Sequence, residues 1–229
     1  MRSDTLIVED VMLLLLDDER GTPAGAGTLH YILGGAMLVE LALRGRIETD
    51  DTSRPGVNGA KVLAVGDGPL PDPLLQAAYD KIARRPQGVQ TVLLTIGAGL
   101  WKPVTERLVE RGLVRSERKR VLGVFRTTTW PAEDTRHEAE LRHAIHAALE
   151  GGESPDARTA AVIALLSSSG TLPALRPALA WSAEVSARAK KFENGDWGAA
   201  AVSTAMTRHA AAITASSAAV SITVITTIT

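Results

Sequence analysis

The chain of 229 residues has no cysteine, which excludes disulfides, thiolate metal sites and thiol nucleophiles together. Aromatic residues are almost as scarce, at 3%. The interior therefore has to be filled by Ala and Leu, a composition that favours helices with thin, closely approaching cores. Charge of one sign is also missing. The formal net charge is −1, which argues against a protein that is basic overall and lives on nucleic acid, and leaves only a local basic patch open. No Gly-rich loop is followed by Lys-Ser/Thr, and no Gly-x-Ser-x-Gly elbow occurs, so neither a nucleotide-phosphate loop nor a serine-hydrolase turn is encoded. The first apolar run is interrupted by Glu9 and Asp10, unlike a signal peptide. The expectation is a cytoplasmic protein.

What is present is a long apolar helix that runs into a basic turn. Between Leu29 and Leu43 the one formally charged residue is Glu40. A helix that is apolar all round belongs in a core. Glu40 stands four residues before Arg44, the order that favours an ion pair along a helix. An unpaired buried carboxylate costs several kcal/mol, so Glu40 is expected to be buried and paired with Arg44 or Arg46. Gly45 is the left-handed stop, and Ile47 begins an extended segment.

Before this helix, Thr5 is placed to cap a helix with Glu9 and Asp10 in its first turn. The run Val11 to Leu16 either completes that helix or forms a buried strand. After it, Ile47-Glu-Thr and Lys61 to Val65 flank an Asn-Gly signal and read as a hairpin. Pro71-Asp-Pro opens a helix through Ile82. A helix begins at Val92 and breaks at Gly97 and Gly99, and Pro103 suits the first turn of the next. Leu113 to Arg115 and Val121 to Phe125, joined by the basic turn Ser116 to Arg120, read as a second hairpin. Helix, Arg-Gly, apolar pair and hairpin thus occur twice, a weak internal repeat. The last third reads as helices over Thr135 to Leu149, Pro155 to Leu166 and Leu172 to Phe192, with a final helix from Asp196-Trp197. The expected fold is mainly α, a single helical bundle domain over 1–229 with two or three short β-hairpins. Residues 206–229 are a C-terminal helix or a frayed tail.

Three segments together carry a resemblance. Val8-Glu-Asp-Val-Met-Leu-Leu-Leu-Leu-Asp-Asp18, the helix ending Glu40-Leu-Ala-Leu-Arg-Gly-Arg46, and Glu106-Arg-Leu-Val-Glu-Arg-Gly-Leu113 resemble, in this order, the Golgi phosphoprotein 3 family. The likeness covers roughly residues 6 to 200, and the middle motif is the specific one. It implies a helical, non-enzymatic adaptor at the membrane surface that binds phosphatidylinositol phosphate and gathers partner proteins. In the Golgi members a Trp and three Arg hold the headgroup. The matching positions here are Gly25, Gly34, Ala98 and Trp101, and none keeps its residue type. Guanidinium groups are the natural bidentate phosphate ligands, so the same headgroup chemistry is not carried over.

Read from the residues themselves, the candidate lipid contacts are Trp101, Lys102, Arg118, Lys119 and Arg120. Arg115, Arg118, Lys119, Arg120 and Arg126 lie within twelve residues and interleave with Val121, Leu122 and Phe125. Basic residues beside exposed apolar ones suit an anionic membrane, each charge contributing about 1 kcal/mol; the plainer alternative is a solvated turn. Trp101 and Lys102 offer a flat apolar surface with one cation, or, for Trp101, simple packing beside Pro103. Asp17 and Asp18 are an alternative metal set. Adjacent carboxylates can hold Mg²⁺ against a diphosphate, which in a helical bundle would mean an enzyme acting on an isoprenoid diphosphate; a plain turn is the competing reading. Glu140 and His143, with His137 and His146 nearby, match half of a di-metal bundle motif and otherwise form an exposed helix face. A third possibility is a winged-helix nucleic-acid binder with Arg118 to Arg120 on the wing, against which the net charge counts. Ala210 to Thr229 carries no charge and has the length of a membrane span, though its Ser, Thr and Ala content suits a bundle helix or tail better. The expectation is a non-enzyme without cofactor, bound to anionic membrane lipid and to partner proteins, and open to homo-oligomerisation.

Overall fold

The computed structural model describes residues 5–16, 23–50, 61–121, 125–175, 177–195 and 213–214, with side chains of 119–127 outside that description. The protein is mainly helical. In order, the elements are α1 (Ile7–Leu15), α2 (Leu29–Leu43), β1 (Ile47–Thr49), β2 (Lys61–Ala64), α3 (Pro73–Ala83), β3 (Gln87–Gly88), α4 (Val89–Gly97), α5 (Trp101–Glu110), β4 (Glu117–Val121), β5 (Phe125–Thr129), α6 (Thr135–Leu149), α7 (Ala157–Ser168) and α8 (Ala183–Glu193). Strands β1, β2 and β3 form one antiparallel sheet, and β4 and β5 a separate ribbon. The buried apolar side chains form one connected cluster.

Helix α2 is the central element, with every residue from Ile32 to Ala42 buried. It ends where expected: Arg44 caps it and Gly45 follows at φ 64°. Helices α2 and α4 approach so closely that only glycine fits between them. A Cβ on Gly34 would lie 2.3 Å from the Leu93 carbonyl oxygen, and one on Gly97 would lie 1.7 Å from that of His30. The thin core implied by the composition is realised at this contact.

Helix α1 resolves the ambiguity of the first apolar run, continuing as helix to Leu15. Its cap is Leu6 rather than Thr5. Leu6 has no side-chain acceptor, so the tie is made from inside: the Leu6 N–H donates to Glu9 Oε2 at 2.8 Å. Asp72 caps α3 by accepting from Leu74 and Leu75 N–H, with Pro73 at the first helical position.

Two segments differ from their expected form. Leu172 to Phe192 is not one helix. A single 3-10 turn at Leu172–Ala174 precedes an irregular stretch, and α8 starts at Ala183. Pro173 and Pro177 lack the N–H that a longer helix needs, and Leu175, at φ −59° and ψ 146°, has already left helical geometry. Ser182 then supplies the start by accepting from Val185 N–H. The second hairpin is also displaced. Ser116 to Arg120 is not its turn: Glu117–Val121 is a strand, paired with Phe125–Thr129. The connection, 122–124, lies outside the described residues. The run Thr127-Thr-Thr129 explains the shift, because β-branched residues suit a strand and extend the ribbon beyond the apolar stretch.

Candidate functional site

The ribbon β4–β5 stands on the helical body through its base. Val114 bridges to Ala132, Arg115 N–H donates to the Pro131 carbonyl at 3.0 Å, and Glu133 N–H to that of Leu113 at 2.9 Å. The register sets Arg118 opposite Thr128, Lys119 opposite Thr127 and Arg120 opposite Arg126. Because alternate residues share a face, Arg118, Arg120 and Arg126 lie on one face of the ribbon and Lys119 on the other. Like charges directly opposite each other destabilise a strand pair. Arg118 is exposed. Arg115 is not a free cation, since its Nε lies 2.7 Å from Glu117 Oε1.

Trp101 and Lys102 open α5 next to this ribbon. The Trp101 ring meets Trp130 edge to face, with centroids 5.2 Å apart, and Trp130 directly follows β5. Trp101 is therefore half-buried against its neighbour and not a freely projecting ring. Lys102 is 82% exposed at its side chain, with Glu106 the nearest carboxylate at 3.8 Å. The two candidate patches, separate in sequence, are joined by this aromatic contact.

The other positions matched to the family's headgroup pocket are not brought into one anion site. Gly25 lies in the turn before α2, where an added Cβ would meet Thr171. Gly34 is sealed against α4, as above, and Ala98 is exposed at the end of α4.

The most elaborate polar cluster was not legible as a cluster in the sequence. Glu9 and Asp10 are adjacent, almost wholly buried, and held from opposite sides. Glu9 meets Arg111 Nε at 2.7 Å and Arg107 Nε at 3.4 Å, and Arg107 also reaches Asp72 at 2.7 Å. Burial pulls the Arg107 guanidinium down, but hydrogen bonds and charge from Glu9 and Asp72 outweigh it and leave the group above its ordinary value. On the other side Arg158 donates to Asp10 Oδ2 through Nε at 2.9 Å and Nη2 at 2.6 Å, to the Thr5 carbonyl at 2.5 Å, and to Glu40 Oε2 at 3.3 Å. His137 Nε2 sits 2.8 Å from Asp10 Oδ1. Glu40 is 4% exposed and takes Arg44 Nε at 2.8 Å, together with the Ile7 N–H at 2.8 Å. The expected partner is thus Arg44. Arg46 turns away, donating to the Gly68 carbonyl and stacking over Tyr79.

Of the histidines, His137 is buried against Asp10, which corrects its placement on an exposed face. The hydrogen bond to Asp10 raises the imidazole above its ordinary pKa, against a smaller opposing effect of burial. His146 contacts Glu150 at 3.2 Å, and Glu140 and His143 are exposed. Among the described residues no three His, Asp or Glu are grouped as a metal site would need. Asp17 and Asp18, the candidate Mg²⁺ ligands, lie outside the described residues, as does most of 196–229. No helix among the described residues is long and apolar enough to cross a membrane.

A mainly helical protein built round one apolar central helix, with a basic two-stranded ribbon standing beside a tryptophan pair, is the class these elements define. The chain matches the family described as Golgi phosphoprotein 3 (GPP34) over residues 7–209 and belongs to that family.

Proposed function

We propose that this protein is a non-enzymatic, peripheral adaptor that docks from the cytoplasm on anionic lipid through the β4–β5 ribbon and the start of α5, and gathers partner proteins there. The observation that carries the reading is the Trp101–Trp130 contact, which joins the start of α5, with the exposed Lys102, to a ribbon whose backbone register pairs Arg120 with Arg126. A negatively charged surface relieves that repulsion, and each cation close to it contributes about 1 kcal/mol. Family membership supports the adaptor part of the reading.

The attraction follows total membrane charge and not one headgroup. Gly25, Gly34 and Ala98 supply no guanidinium, and α4 closes the space at Gly34. The test is co-sedimentation with vesicles of phosphatidylcholine doped to equal total charge with phosphatidylserine or with phosphatidylinositol 4-phosphate. Binding is expected to be similar for both and to fall steeply with salt, as the Debye length shrinks from about 10 Å at 0.1 M to about 3 Å at 1 M. Tight, salt-resistant selection of the phosphoinositide would contradict the reading.

A further inference from the structure

Among the described residues, Trp181 is the largest apolar side chain left in water, half exposed just before α8. It borders a cleft of about 150 Å³ between the end of α7 and α8. Leu172 and Ala189 line the apolar part of this cleft with it, and Ser167, Lys190 and Glu193 line the polar part. Ser186, Ala189, Lys190 and Glu193 are three or four residues apart in turn, which puts them on one face of α8. Beside them Gly170 has nothing within 4 Å of where a Cβ would stand, so the cleft is open there and not packed. A space of about 150 Å³ accepts one six-membered ring.

The polar part is neutral as a whole but not saturated. Glu193, almost wholly buried, accepts from Ser167 Oγ at 3.1 Å and from Lys190 Nζ. The carboxylate and the ammonium cancel, so the cleft offers a charged ligand no net attraction. A carboxylate has about four acceptor positions and an ammonium three donors. Among the described residues two of the former and one of the latter are spent. Acceptors and donors therefore both remain for the hydroxyl groups of a ligand. A neutral molecule with hydroxyls along its edge and C–H groups on its face matches both parts of the cleft: the edge suits Glu193 and Lys190, and the face suits the apolar Trp181 ring. An acid or an amine would compete with the Lys190–Glu193 pair, and a plain hydrocarbon would cover polar groups without replacing their water.

We propose that this cleft binds one neutral sugar ring, with its face against Trp181 and its hydroxyl edge on Glu193, Lys190 and Ser167. A free sugar and the uncharged headgroup of a glycolipid present the same chemistry to it. The cleft shares no residue with the β4–β5 ribbon, so its occupancy does not depend on membrane charge.

The test uses the full chain, followed in nuclear magnetic resonance by the indole N–H of Trp181 and the backbone amide of Lys190. The methyl glycosides of glucose, galactose and mannose are titrated separately, with cyclohexanol, glucuronate and glucosamine as controls. At least one methyl glycoside is expected to shift both resonances saturably. Cyclohexanol, with a single hydroxyl, is expected to bind about tenfold more weakly, and the two charged sugars no more tightly than the neutral one. Trp181→Ala removes the ring face and is expected to weaken binding about tenfold, read at the Lys190 amide, while Trp181→Phe keeps most of it. Ser186→Trp changes an exposed position and fills the cleft, so the response is expected to vanish; if Trp181→Ala does not fold, this variant and the cyclohexanol comparison still decide. Co-sedimentation with phosphatidylcholine vesicles doped with a glucosyl or galactosyl diacylglycerol would assign a membrane-borne ring, and its absence a free sugar; both support the proposal. Equal affinity for cyclohexanol, tighter binding of glucuronate or glucosamine, an undiminished response in Ser186→Trp, or no saturable shift with any methyl glycoside would overturn it.

Discussion

The buried belt at the start of α1 and the β4–β5 ribbon use the same residue types in opposite ways. Around Glu9 and Asp10, arginines from α5 and α7 meet carboxylates that are 0% and 1% exposed. On the ribbon, the backbone register pairs Arg120 with Arg126, and Arg118 stands in solvent. Matched to a buried carboxylate, an arginine holds helices together; exposed and without such a partner, it is open to an external anion. A count of basic residues cannot separate these roles, whereas burial and the number of carboxylates within reach can.

The largest effect is expected at Arg158, which ties α7 to Asp10, Glu40 and the Thr5 carbonyl. Arg158→Met leaves buried carboxylates short of a partner and is expected to cost about 3–5 kcal/mol in urea unfolding. Adding Asp10→Asn should make the double variant less unstable than the sum of the two singles, because both remove one interaction. Strict additivity would show that the pair is not coupled.

A smaller effect is expected at the helix contact beside the belt. Gly34→Ala drives a methyl into the Leu93 carbonyl, at a distance no real contact allows. Overpacking of this kind costs about 1–3 kcal/mol, read as a lowered melting temperature. A neutral result would mean that α2 and α4 separate freely.

Smaller again is the contribution of His137, and it carries a pH signature. The folded imidazole titrates above its ordinary value of 6.5 because Asp10 accepts its hydrogen bond. Its stabilisation is therefore fully present below 6.5 and is lost as pH rises through the raised folded value. The stability gap between wild type and His137→Gln should be widest in acid and narrow toward alkaline pH. A gap that widens with pH would mean that the imidazole is held neutral.

Local features were legible in the sequence where their cause is local. The apolar run of α2, the stop at Gly45 and the Glu40–Arg44 pair depend on residues within a turn or two of each other. The helix starting after Asp72-Pro73 is of the same kind. The belt was not legible, because Asp10 finds Arg158 and His137 across separations of 148 and 127 residues, and no periodicity encodes such partners. The one available signal was the pair Glu9 and Asp10 inside an apolar helix, since buried carboxylates demand partners. The ribbon was legible as a hairpin but not in its bounds. A charged run reads as a turn when taken alone, and its strand character comes from pairing with Thr127 to Thr129.

The contrast between matched and unmatched arginines is tested most directly by Arg118→Ser, Lys119→Ser and Arg120→Ser together, assayed in parallel by urea unfolding and by co-sedimentation with phosphatidylserine vesicles. Surface changes alter stability by about 0.5 kcal/mol each or less. Loss of three charges weakens partitioning by about 3 kcal/mol, or roughly a hundredfold. The expected result is a nearly unchanged unfolding curve with lipid binding all but abolished. A variant that binds vesicles as the wild type does would show that the ribbon is not the docking surface, and one that unfolds would show that its cations belong to the fold.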